Sequence, residues 1–203
     1  MYRVERLASS ETAQPGYEFT NDWFEYQRYT IEAIKPMGDL DRKRSILEIG
    51  AHEGRSTVYY IDHCLEHPES TITTIDPFDV QDPTSPLTGH TYRRFLSNVS
   101  KSRYPFKSEL LKGYSCQKLA ELITQGKSYD YIAIDGSHLM ADVLLDACLS
   151  YRLLKVGGVL FFDDYNMHAE TSEVRQAVNA FLGCHSGVEV VHKSYHLVAR
   201  KTG

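Results

Sequence analysis

Three aspartates and one histidine stand where they could do chemistry together. Asp135 closes the apolar run Ile132-Ala133-Ile134, and His138 follows after Gly136 and Ser137. A second apolar run, 159–162, closes in the pair Asp163 and Asp164. Carboxylates crowded together repel and raise one another's pKa, and a cation relieves this. Oxygen-only ligands select magnesium or calcium over zinc, and magnesium keeps waters that substrate oxygens can replace. Asp135, Asp163 and Asp164 are therefore the expected ligands of a divalent cation, Mg2+ first. A substrate with two neighbouring hydroxyls can chelate such an ion, which acidifies a hydroxyl and fixes its oxygen. His138 lies three residues past Asp135, on a turn leading into a helix, and is the expected catalytic base. Its unperturbed pKa near ~6.5 suits proton removal at neutral pH. The plainer alternative is that the aspartates cap helices and the histidine is a structural hydrogen-bonder.

A second constellation lies earlier, in Glu48-Ile49-Gly50-Ala51-His52-Glu53-Gly54-Arg55-Ser56. Glycines allow a tight turn and close approach of backbone N–H groups to a ligand. Ser56 falls at a helix start, where the dipole and free N–H groups favour an anion. Asp76 ends the next apolar run, where a carboxylate can accept hydrogen bonds from both hydroxyls of a ribose. Two ligands use this arrangement. The dinucleotide fingerprint would begin at Gly50 and require glycine at 52 and 55, where the chain has His52 and Arg55. The alternative pattern, E/D-x-G-x-G-x-G, departs only at position 52. A nicotinamide-dependent oxidoreductase stays open on the glycine loop and Asp76 alone. So does a non-catalytic module that kept the pocket.

These residues need strands that end at one edge. Expected strands are 45–49, 71–75, 109–111, 129–134 and 159–162, with a closing hairpin of 188–192 and 195–200. Expected helices are 54–67, 91–101, 115–125, 139–154 and 171–182. Ser115 is the expected N-cap of the third, and Gly157-Gly158 the expected stop of the fourth. Alternation of this kind predicts an α/β fold: a Rossmann-like, doubly wound, seven-stranded, mostly parallel sheet with an antiparallel edge hairpin and helices on both faces. In such sheets the ligand lies outside the carboxyl ends of the strands, where Gly50, Asp76, Asp135 and Asp163 all fall. Residues 1–40 form an aromatic-rich extension, with a helix expected over 21–35, serving as a lid or as packing. The acceptor determinants are expected there, in 78–92, and after Asp164. Arg93 and Arg94 read as a solvated helix face, and His168 as a residue within reach of the site.

With these residues in place, the chain resembles the class I S-adenosylmethionine-dependent methyltransferases. EIGAHEGRS is similar to the cofactor loop of the catechol O-methyltransferase group, in which a bulky residue replaces the middle glycine. KGYS, YDYIAIDGSH and LLKVGGVLFFDDY are similar to the related macrolide sugar O-methyltransferases. The resemblance covers about residues 45–200 and implies a methyltransferase domain over 41–203. It implies that Glu48, Gly50, His52, Gly54 and Ser56 serve the methionine end of S-adenosylmethionine, Asp76 its ribose and Ser115 its adenine. It implies Asp135, Asp163 and Asp164 as cation ligands and His138 at the base position. Catechol-type enzymes carry asparagine and lysine in place of Asp164 and His138, whereas the sugar enzymes carry an acidic pair and a histidine. The implied activity is O-methylation of a small hydroxylated acceptor, a sugar or a catechol-like diol.

Bulk properties agree with one catalytic domain. The 203 residues suffice for a full core, and 42 % hydrophobic with 24 % charged residues is ordinary for a globular chain. A net charge of −5 without a basic run argues against nucleic acid as partner. No apolar stretch reaches membrane-span length, and the first residues lack a secretory apolar core. Four separated cysteines read as reduced thiols, so a cytoplasmic location is expected. The aromatic N-terminal stretch is a candidate surface for a second copy of the chain.

Overall fold

A computed structural model describes residues 16–21, 23–24, 27–28, 31, 42–78, 90–168 and 171–203. Seven strands form one sheet: β1 (Ser45–Ile49), β2 (Thr71–Asp76), β3 (Ser108–Lys112), β4 (Tyr129–Ile134), β5 (Leu154–Phe162), β6 (Val188–Lys193) and β7 (Leu197–Lys201). Five helices alternate with them: α1 (Arg55–Cys64), α2 (His90–Lys101), α3 (Ser115–Thr124), α4 (Met140–Leu153) and α5 (Glu173–Cys184). The strand order is β3-β2-β1-β4-β5-β7-β6. The pairings from β3 through β5 are all parallel, and β7 runs antiparallel to both β5 and β6. The expected hairpin forms the sheet edge, with β7 seated inside and β6 outermost. The chain winds outward from β1 to β3 and then returns to β4, so the crevice of a doubly wound sheet opens between β1 and β4.

Alternation along each strand builds two cores. Leu47, Ile49, Ile132, Ile134, Leu160 and Phe162 face α3, α4 and α5, where Leu119, Val143, Ala147 and Phe181 are buried. Ile46, Ile72, Ala133, Phe161 and Val198 face the other way, against Tyr60, Ile61 and Leu65 of the α1 region. Phe24 and Ile31 join this second core, which ties the N-terminal residues to the domain. Each fully buried aliphatic side chain contributes roughly 1.5–3 kcal/mol. Among the described residues no helix is long and apolar enough to cross a membrane. The four cysteines are free thiols.

Three local expectations need correction. Tyr114, not Ser115, is the N-cap of α3 and has extended backbone angles; Ser115 is the first helical residue. The pair Gly157-Gly158 does not stop α4, which passes directly into β5 at Leu154. The two glycines lie instead where the β4–β5 register shifts, and a Cβ at Gly158 would meet Lys155 O at 2.9 Å and Asp130 O at 3.0 Å. Ser172 starts α5 by accepting a hydrogen bond from Arg175 N at 3.1 Å. Of the N-terminal helix, Gln27, Arg28 and Ile31 are helical, while Asn21, Trp23 and Phe24 are not. The rest of that helix, and residues 79–89 of the expected acceptor loop, lie outside the described residues.

Candidate functional site

The β1–α1 loop turns on Gly50, whose φ of +84° is a left-handed conformation suited to glycine. The strand ends beneath it are stitched by Gly50 N to Ile75 O (2.9 Å) and Asp135 N to Ile49 O (2.8 Å). Asp76 shapes the loop from the neighbouring strand. Its Oδ2 accepts from Ala51 N at 2.8 Å and His52 N at 2.9 Å, and its Oδ1 from Phe78 N at 2.7 Å. Glu48 is buried behind the loop and accepts from Ser56 Oγ and Thr57 Oγ1, both at 2.5 Å, and from Thr74 Oγ1 at 3.3 Å. Burial lifts its pKa to about 7, although the three hydroxyls favour its charged form.

A cleft of about 1150 Å³ opens above these strand ends. Of the residues expected to serve a cofactor, Gly50, His52, Ser56, Asp76, Ser115 and Asp135 line it. Glu48 and Gly54 do not line it; they build the loop. Gly54 caps α1 at φ +81°, and a Cβ there would meet the Phe95 ring at 2.9 Å. His52 holds φ +48° at the position where the motif has glycine, and its ring lies 5.3 Å from that of Trp23. Ser115 turns its hydroxyl to Asp146 of α4, whose carboxyl burial pushes up to about 6.

The acids meet as expected. Asp135, Asp163 and Asp164 each offer a carboxylate oxygen within 4.8 Å of the others. The register explains this: Ile134 pairs with Phe162, so the next residue on each strand shares one edge. Crowding by protein atoms, then the charges of Asp163 and Asp164, push Asp135 well above the usual carboxylate range. Asp164 lies below it, because hydrogen bonds from His138 and Tyr195 outweigh burial. The His138 Nε2–Asp164 Oδ2 distance is 3.0 Å, and this bond raises the histidine's pKa against a smaller opposing effect of burial. Three carboxylates at one sheet edge, one of them raised by burial and by the charges of its two neighbours, fit a hard divalent cation.

Four residues escaped sequence reasoning. His196, almost fully buried, lies with Nε2 2.8 Å from Asp163 Oδ1. Tyr195 donates to Asp164 Oδ1 at 2.7 Å. Both sit on the β6–β7 turn, and β7 pairs Leu197 with Phe162, which places His196 opposite Asp163. His196 thus takes the place anticipated for His168, which is exposed and does not line the cleft. Gln27 donates its Nε2 to Asp135 Oδ2 at 2.7 Å and to Asp163 Oδ2. Its signal was a polar residue on the 24/27/31 face between two buried apolar ones. Arg94 is not merely solvated: it pairs with the buried Glu53 carboxylate at 2.5 Å and bonds Thr20.

Comparison with known proteins agrees with the fold. The sequence matches the family described as "Methyltransferase domain" over residues 47–165. No curated protein matches it. Among solved structures it is similar to an O-methyltransferase from Bacillus cereus in complex with SAH, with TM-score 0.67 and 14% identity over 94% of this chain and 84% of that one. It is also similar to TomG from Streptomyces achromogenes, an O-methyltransferase involved in tomaymycin synthesis, in complex with SAM, with TM-score 0.64 and 19% identity over 81% and 75%. A third is CalS11, a TDP-rhamnose 3'-O-methyltransferase, with TM-score 0.60 and 15% identity over 87% and 80%. At these identities the structures speak for the fold, while the family match spans more than half of the sequence. The chain belongs to the methyltransferase domain family.

Proposed function

We propose that this protein transfers a methyl group from S-adenosylmethionine to a hydroxyl of a small acceptor with neighbouring hydroxyls, assisted by a divalent cation. One observation carries the reading: the Gly50–Asp76 loop, the acid triad and His138 all line a single cleft. The family match disfavours the nicotinamide alternative, whose fingerprint already fails at His52 and Arg55. S-adenosylmethionine supplies a methyl group already activated on a sulfonium, and Mg2+ acidifies a hydroxyl bound to it.

The chain's residues supply the rest. Asp135, Asp163 and Asp164 would hold the cation. Asp76 accepts three backbone N–H groups, two on Oδ2 and one on Oδ1, so Oδ1 retains a lone pair for a ribose hydroxyl. Ser56 places the N-terminus of α1 at the cleft, where the dipole favours the methionine carboxylate. Ser115 and Asp146 line the part of the cleft read as the adenine end. An ionised Asp164 only accepts hydrogen bonds, so His138 Nε2 carries the hydrogen between them. Nδ1 of the neutral ring then bears the lone pair that takes the proton from the acceptor hydroxyl. Phe19 and Trp23 line the cleft on its N-terminal side.

The test is turnover of S-adenosylmethionine against a panel of vicinal diols, with and without EDTA, in the wild type and in Asp163→Ala. EDTA should suppress wild-type turnover, and Asp163→Ala should remove the metal-dependent part. Unchanged turnover and unchanged EDTA sensitivity in Asp163→Ala would sink the cation reading.

A further inference from the structure

Phe24, Gln27 and Ile31 share one helical face, and all three are buried, with relative exposures of 7, 5 and 3%. Arg28 N bonds Phe24 O at 2.9 Å, which sets the helical turn. The apolar pair packs into the core beside α1. The amide between them reaches the acid triad. Gln27 Nε2 donates to Asp135 Oδ2 at 2.7 Å and to Asp163 Oδ2, so both hydrogens of its NH2 group are spent on the two carboxylates. The other donors are distributed differently: His196 serves Asp163, while His138 and Tyr195 serve Asp164. Gln27 therefore spans two acids from the edges of β4 and β5, at the spot where positive charge is needed. A cation held by these carboxylates would compete with the amide for Asp135 and Asp163, and an NH2 group cannot face a cation.

We propose that Gln27 is a positioning residue of the acid triad, an amide that holds Asp135 and Asp163 together in the cation-free enzyme and leaves them when a divalent cation binds. The inference rests on the reading of the triad as a cation site. By linkage, cation binding and the docked amide oppose each other by the same factor in both directions. The consequence reaches the cofactor side of the cleft. Trp23 lies against the His52 ring at 5.3 Å, and Phe19 lies under the Arg55 guanidinium at 4.9 Å, so the N-terminal residues that carry Gln27 also wall the cleft.

The chain has a single tryptophan, so Trp23 emission reports on this wall without interference. Mg2+ and Mn2+ are titrated calorimetrically into the wild type, Gln27→Ala and Gln27→Glu, and Mg2+ is titrated in parallel by fluorescence. Gln27→Ala should bind both ions about tenfold tighter, the worth of roughly one charge-assisted hydrogen bond no longer displaced. Mg2+ should shift Trp23 emission in the wild type and not in Gln27→Ala. Gln27→Glu, which adds a fourth carboxylate, should melt lower in EDTA and recover with Mg2+. Equal or weaker ion affinity in Gln27→Ala, or a Gln27→Glu melting temperature insensitive to Mg2+, overturns the proposal and leaves the cation site standing. Absence of ion binding in all three proteins overturns both.

Discussion

Gly50→Ala puts a methyl group where the chain has no room. A Cβ built on residue 50 lies 1.9 Å from the carbonyl oxygen of Asp135 and 2.5 Å from its carbonyl carbon. Carbon and carbonyl oxygen approach no closer than roughly 3.3 Å even in close C–H···O contacts, so one backbone must move by more than about 1 Å. The obstacle is main chain at the end of a central strand, not a side chain that can swing away. Holding alanine at φ +84° adds left-handed strain of roughly 1–2 kcal/mol. Overpacking adds roughly 1–3 kcal/mol, for a total of about 2–5 kcal/mol. In a chain of this size that corresponds to a fall in Tm of roughly 4–20 °C. The displaced residue is Asp135, a triad member, and the displaced loop carries the N–H groups that meet Asp76. A misplacement of about 1 Å at a reacting site can cost about 10²-fold in rate. Differential scanning calorimetry and S-adenosylhomocysteine titration measure the two effects. A Tm loss under about 2 °C with unchanged affinity would refute the claim that β1 and β4 are locked together at this point.

Other expectations follow from the same geometry. Glu48 is buried with its pKa raised to about 7, so its contribution to stability is complete below pH ~4.5 and is lost as pH rises through ~7. Glu48→Gln should remove that loss, on the order of 3 kcal/mol between pH 5 and 8, read from urea midpoints at the two pH values; parallel pH profiles for the two proteins would contradict it. His138→Ala should lower kcat by about 10²–10⁴-fold and leave S-adenosylhomocysteine affinity unchanged, since the ring serves the acceptor proton. His196→Ala should weaken Mg2+ binding by about 10–100-fold through loss of the contact that orients Asp163; calorimetry shows this independently of turnover.

The strands that end in acids were legible because burial and charge change abruptly there. Ile132 to Ile134 and Leu160 to Phe162 are buried, and the aspartates that follow gather at the same sheet edge, lining the cleft. The loop was legible in its tight turn at Gly50 and in the placement of Asp76 beside it. Glu48 and Gly54 were assigned to the ligand, yet they support the loop; a motif records which residues recur and not which way each faces. His196 was not legible, because only the insertion of β7 between β5 and β6 brings it to Asp163. Either hairpin strand could have paired with β5 on hydrophobic pattern alone. Gln27 lies 108 positions from Asp135 in the chain, and local periodicity carries no information over that distance. The extent of α4 was legible to within a residue at each end, but the cause of its stop was not. Glycines near a helix end suggest a stop, but here Gly157 and Gly158 serve a register shift between strands.

The most direct measurement is calorimetric titration of the purified protein with S-adenosylmethionine, with and without Mg2+, using NAD as the control ligand. The account predicts binding of S-adenosylmethionine, no binding of NAD, and a further gain from Mg2+ once a vicinal diol is present. NAD binding without S-adenosylmethionine binding would contradict it, and would return Gly50 and Asp76 to the service of a different cofactor.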